Sequence, residues 1–127
     1  ADRALEELKN CKIKLVDFHA ETTSEKKALG FYLDGRVSAV FGTHTHVQTS
    51  DECILEKKTG YITDLGMCGA IDSVLGVKKE VIIRKFKTNL PAFFETPENL
   101  PCEINGCIFC IDEKSGSCTE VERVRFQ

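Results

Sequence analysis

Only three histidines occur in the 127 residues, at positions 19, 44 and 46. His44 and His46 stand two apart, so in an extended segment both imidazoles leave the backbone on the same side. That is a common way to present nitrogen ligands to a metal. Neutral imidazole suits Zn, Fe, Ni or Cu, and neighbouring carboxylates or amides shift the preference towards Fe or Mn. Thr43, Thr45, Asp17 and Glu21 lie beside the histidines and are candidates for the outer groups that fix each ring's tautomer. An isolated His-x-His is more often a pair of loop residues capping a strand end. A third histidine delivered to the same place tips the balance to metal. Nucleophilic catalysis by Cys68 or Ser73 is less attractive, because it needs a histidine to spare as base.

The elements around these residues do deliver the third histidine. Ile13-Lys14-Leu15-Val16-Asp17-Phe18 is a β-branched, apolar run that reads as a buried strand. Thr22-Thr23-Ser24-Glu25 has the form of a capping box. A helix is expected from about Thr23 to Asp34, burying Ala28, Leu29, Tyr32 and Leu33, with Gly35 as its left-handed C′ residue. Val37-Ser38-Ala39-Val40-Phe41 is the next strand. Strand, helix and strand with short connections make a βαβ unit, so the two strands should be parallel neighbours. Both end in histidine-bearing loops, and ligands bind at the carboxyl ends of such strands. His19 therefore shares a sheet edge with His44 and His46.

Further along, residues 52–55 and 60–63 look like short strands around a Lys57-Lys58-Thr59-Gly60 turn. The Gly66–Gly69 loop reads either as a backbone cradle for phosphate or, with slightly more weight, as a tight connection needing positive φ. Asp64 before it is either a partner to a ligand histidine or a plain turn residue. Lys79 to Phe86 reads as a strand with charged ends. Pro91, Pro97 and Pro101 punctuate the chain before a hairpin of Cys102 to Asp112, a turn at 113–116, and Ser117 to Phe126. The opening residues read as a helix with Leu5 and Leu8 on one face and Asp2 as its one candidate cap.

Composition bounds the class. Hydrophobic residues at 42% and charged residues at 29% are ordinary for a soluble globular chain and exclude disorder. A net charge of −3 leaves no nucleic-acid footprint. No apolar stretch is long enough to cross a membrane, and the acidic start is no signal peptide. Seven cysteines, an odd number without framework spacing, read as reduced thiols in a cytoplasmic protein. Cys107 and Cys110 form a CxxC, but on a strand residues three apart point to opposite faces, so packing is favoured over zinc or redox chemistry.

Three stretches together resemble a known family: Val16-Asp17-Phe18-His19-Ala20-Glu21-Thr22-Thr23-Ser24-Glu25-Lys26, Gly42-Thr43-His44-Thr45-His46-Val47-Gln48-Thr49 and Tyr61-Ile62-Thr63-Asp64-Leu65-Gly66-Met67. They are similar to the bacterial YmdB-type metallophosphoesterases, a branch of the calcineurin-like superfamily. Asp72-Ser73-Val74-Leu75-Gly76 and Asn105-Gly106 extend the likeness over nearly all the chain from Ile13. The resemblance implies an α/β fold, part of a β-sandwich flanked by helices, with the βαβ unit and the C-terminal β-hairpin. It implies a metal-dependent phosphodiesterase acting on cyclic nucleotide monophosphates, a small phosphodiester substrate, through two transition-metal ions, iron first and manganese or zinc as alternatives. Carried over by position, His19 and His44 would bind one ion and His46 the other. The family's Asp, Glu, Asn and Asn-His residues have no counterpart here, and the chain does not begin with Met. The expectation is a C-terminal portion of the domain, inactive alone, with a truncated or regulatory binding module as the alternative. Self-association into a homo-oligomer is compatible with the sequence.

Overall fold

The computed structural model describes residues 1–98 and 101–127. In chain order the elements are α1 (Asp2–Glu7), β1 (Leu15–His19), α2 (Thr23–Leu33), β2 (Ala39–Thr43), β3 (Cys53–Ile54), β4 (Gly60–Ile62), β5 (Cys68–Ala70), α3 (Lys79–Thr88), β6 (Cys102–Ile111) and β7 (Cys118–Phe126). They fall into two compact units, residues 1–66 with 106–124 and residues 67–105 with 125–127.

The first unit holds a four-stranded sheet in the order β1-β2-β4-β3. β1 runs parallel to β2, with Leu15 opposite Ala39 and His19 opposite Thr43. β2 is parallel to β4, and β3 closes the edge antiparallel to β4. The βαβ unit is thus present, each strand starting two residues later than the apolar runs suggest. Val40 and Tyr61 face α2 and bury against Leu33 and Val37. The sheet's other face meets the hairpin, where Phe41 stacks near Phe109 with ring centroids 6.2 Å apart. Gly60 lies beneath Phe109 and Cys118, and a Cβ there would come within 2.6 Å of the Phe109 ring. Helix, sheet and hairpin therefore form three layers, and the layering depends on a residue without a side chain at position 60.

Two helical details differ from the sequence reading. The buried face of α2 is Lys26, Gly30 and Leu33, while Ala28 and Tyr32 are exposed and Leu29 is half-buried. The reason is polar. Lys26 turns inward to an acidic partner, and Gly30 lets the Tyr61 ring approach to 2.6 Å of where a Cβ would stand. Tyr32 instead donates its hydroxyl to Asp2 at 2.6 Å on the surface. At the start of the helix, Thr22 accepts the Glu25 N–H at 3.3 Å as the cap predicts. α1 begins at Asp2 with Ala1 as its N-cap, so Asp2 does not cap it.

In the second unit β5 pairs antiparallel with the start of β6, Cys68 opposite Ile104. The segment expected to be a strand at 79–86 is α3. Its β-branched Val81-Ile82-Ile83 suggests a strand, but only Val81 and Ile82 are buried, as one helical flank. Glu80 in the first turn and Lys85 and Lys87 in the last turn complement the helix dipole. Asn89 at φ 54° closes it, donating its N–H to the Lys85 carbonyl at 2.8 Å. The hairpin of β6 and β7 stands as expected. Along β6 Cys107 is half-buried and Cys110 exposed, so the CxxC thiols are spread across two faces. Among the described residues no helix is long and apolar enough to cross a membrane.

Candidate metal centre

His19 is the last residue of β1, and its register partner Thr43 is the last residue of β2. Adjacency across a parallel ladder places the Thr43 hydroxyl 3.1 Å from His19 Nδ1. The same hydroxyl donates to Asp17 Oδ1 at 3.0 Å. Asp17 and His19 are two apart on one strand, so their side chains share a face. A carboxylate only accepts, so the Thr43 proton goes to Asp17 and its lone pair accepts His19 Nδ1–H. This relay fixes the tautomer by the logic of the network. It leaves His19 Nε2 with an open lone pair.

That lone pair faces His44. Its Nδ1 lies 3.0 Å from His19 Nε2, and the rings meet edge-to-face with centroids 4.8 Å apart. The far nitrogen, His44 Nε2, is 3.3 Å from Glu21 Oε2. Two imidazole nitrogens, each about 2.0–2.1 Å from a shared ion, stand about 2.9 Å apart at a right angle and about 3.4 Å apart at the tetrahedral angle. The observed separation falls in that range. Each ring also has an oxygen partner behind it, the arrangement metal-ligating histidines use to hold orientation. This pair fits a metal ion by donor type and by spacing. His46 follows two residues later on the same loop. Among the described residues no three His, Cys, Asp or Glu side chains converge where one ion could be held.

The loop bearing His44 and His46 is strained. His44 has φ 110° and His46 φ 65°, a region L-residues seldom occupy. Such positions persist where the surroundings over-determine them. The constraint here is Asp64, whose Oδ2 accepts the N–H of Thr45, between the two histidines, at 3.0 Å. Its Oδ1 accepts Gly66 N–H at 2.9 Å. Lys26 Nζ completes the cage at 2.7 Å from Oδ2, and both side chains are 1% exposed. Burial pushes the Asp64 carboxyl up, but the Lys26 ammonium and the Thr45 and Gly66 amides outweigh it and hold it below the ordinary value. The Lys26 stem reaches Asp64 by passing Gly42, where a Cβ would lie 1.8 Å from the Thr63 carbonyl oxygen and 2.7 Å from the Lys26 side chain. Sequence reasoning missed Lys26, since a lysine in an amphipathic helix gives no sign of being buried. It left Asp64 undecided, and the structure makes it the anchor of the histidine loop. Gly66, at φ 80° and with Gln48 N 2.8 Å from its would-be Cβ, is a tight connection.

Asp51 organises the neighbouring loop. It accepts from the Thr49 hydroxyl at 2.7 Å and from Thr63 N–H at 3.1 Å. Burial raises its carboxyl, and the Thr63 and Thr49 hydroxyls with the Thr63 amide bring it below the ordinary value.

The chain is similar to several known proteins. A 2',3'-cyclic-nucleotide 2'-phosphodiesterase of Bacillus subtilis is 53% identical over 109 residues, covering 86% of this chain and 41% of the relative. A crystal structure of a hypothetical protein from Thermus thermophilus superimposes with TM-score 0.90 at 40% identity, covering 98% of this chain and 48% of that one. A structure of a novel phosphatase from Mycoplasma pneumoniae gives TM-score 0.89 at 41% identity, covering 98% and 45%. The chain therefore spans less than half the length of these relatives. The profile of the YmdB-like proteins matches residues 1–124, and the chain belongs to that family.

Proposed function

We propose that this chain is the histidine-bearing, C-terminal portion of a metal-dependent phosphodiesterase that acts on cyclic nucleotide monophosphates. The observation that carries the reading is the His19–His44 pair at 3.0 Å, backed by Thr43–Asp17 on one ring and Glu21 on the other. The name of the Bacillus relative supplies the substrate class. His19 Nε2 and His44 Nδ1 would hold one ion and His46 a second, iron first with manganese or zinc as alternatives. The remaining ligands would come from the part of the relatives that this chain does not span. An ion bound there supplies Lewis acidity towards phosphate oxygens. The protein's own contribution is positional. Thr43 holds the His19 Nδ1 proton, Glu21 takes that of His44 Nε2, and Asp64 fixes the loop between His44 and His46.

The test is a chimera in which this chain replaces the matching region of the Bacillus relative. Hydrolysis of a 2',3'-cyclic nucleotide should persist. Replacing His19 or His44 by Ala should lower it at least about a hundredfold, since even groups behind a ligand cost about 10–100-fold. A folded chimera whose alanine variants stay fully active would sink the ligand assignment. A folded chimera without activity, while the parent is active, would favour the binding-module reading.

A further inference from the structure

A second feature lies at the opposite edge of the same sheet. β1, β2 and β4 run parallel, so the segments entering them gather at one edge and the histidine loops at the other. Those entering segments carry Lys12 and Lys14, Arg36, and Lys57 and Lys58. With Lys9 they line a cavity of ≈ 280 Å³ that also takes in the hairpin turn at Ser115–Ser117. Six of the chain's seventeen Lys and Arg thus surround one cavity, and among the described residues no Asp or Glu lines it. Lys9 and Arg36 are paired on their outer sides with Glu6 and Asp2. Among the described residues no carboxylate lies within ion-pair distance of Lys12, Lys14, Lys57 or Lys58; Lys12 acts on Asp112 only at longer range.

The cavity is built on fixed backbone. Asp34 accepts the N–H groups of Lys57 at 2.9 Å and Thr59 at 3.4 Å, tying the lysine turn to the end of α2. Gly35, at φ 78°, lies under the Lys57 stem, with Lys57 Cβ 2.8 Å from its would-be Cβ. Gly116, at φ 76°, brings the hairpin turn onto the Lys12 carbonyl, 2.5 Å from a would-be Cβ. A side chain at either glycine would push the segments apart. In a chain of net charge −3, such a gathering of like charges repels itself until an anion enters.

The geometry points to a binding site for an oligophosphate chain, either free pyrophosphate or tripolyphosphate or the phosphate tail of a nucleotide. Lysine ammonium groups are strong point-charge donors to phosphate, and several unpaired ones match a ligand with more than one phosphate. The site is separated from the histidines by the length of β1, roughly 16 Å at the strand rise, so it is independent of the proposed metal centre.

The test is calorimetric titration of the chain with pyrophosphate, tripolyphosphate, ATP and orthophosphate at low salt. Pyrophosphate and tripolyphosphate should bind at least about tenfold more tightly than orthophosphate, and added salt should weaken them. Lys57→Ala with Lys58→Ala, and separately Lys12→Ala with Lys14→Ala, should each weaken binding about tenfold or more while the circular dichroism spectrum is unchanged. His19→Ala should leave it intact. ATP binding more tightly than tripolyphosphate would assign a nucleotide, and equal binding the phosphate chain itself. The proposal is overturned by absence of binding, by wild-type affinity retained in either lysine variant, by loss in His19→Ala, or by a single-stranded oligonucleotide outcompeting every small phosphate.

Discussion

Behind His19 a single hydroxyl does two jobs, taking the ring's Nδ1 proton and giving its own to Asp17. Thr43→Val keeps the shape of that side chain and removes both bonds. It should weaken metal binding about 10-fold or more by freeing the ring to change tautomer, measured by competition with a chromophoric chelator. Unchanged affinity would show that the relay does not orient the ligand. The cysteines give an independent check on burial. Cys107 is pushed up to about 11, first by burial and then by Glu52 nearby, whereas Cys11 and Cys110 are exposed. At neutral pH a thiol so raised supplies almost no thiolate. Iodoacetamide followed by mass spectrometry should therefore label Cys11 and Cys110 well before Cys107. The same result would set aside redox chemistry at the CxxC.

Among the elements, the C-terminal end of β2 is the most demanding. Gly42→Ala would drive a methyl group into the Thr63 carbonyl and the Lys26 stem, an overpacking that costs about 1–3 kcal/mol or more. Urea unfolding should show that loss, and the His44 ring signal should shift with it. The parallel β1–α2–β2 unit was legible from its apolar runs, its threonine cap and its short connections, and with it the shared edge of the histidines. The α3 segment was not. Val81-Ile82-Ile83 fits a strand by propensity, and a short apolar run cannot separate the two periods; burial of one flank and the Asn89 cap decided for helix. The inward turn of Lys26 was equally hidden, because its reason is Asp64, 38 residues away. The lysines around the basic cavity come from segments that sequence alone does not bring together.

Across the molecule, the buried Asp64 and the half-buried Asp51 set the response to acid. Asp64 and Asp51 are both held below the ordinary value. A lowered folded-state value means their contribution is complete above the unfolded value of about 3.9 and drains away as pH falls through the folded one. Urea midpoints should thus be flat from pH 7 to about 5 and fall steeply below about 4. Asp64→Asn should lose about 3–5 kcal/mol at neutral pH, because Lys26 is then buried without its partner, and should flatten the acid limb. A wild-type midpoint unchanged between pH 5 and 3 would contradict this electrostatic reading.

Zinc titration followed through the ring nitrogens by NMR reads whether His19 and His44 share one ion. Before zinc, His19 should carry its proton on Nδ1. During the titration His19 Nε2 and His44 Nδ1 should shift together with one common dissociation constant, and His44→Ala should abolish the response of His19. Rings that shift independently, or a His19 response that survives in His44→Ala, would contradict the shared site.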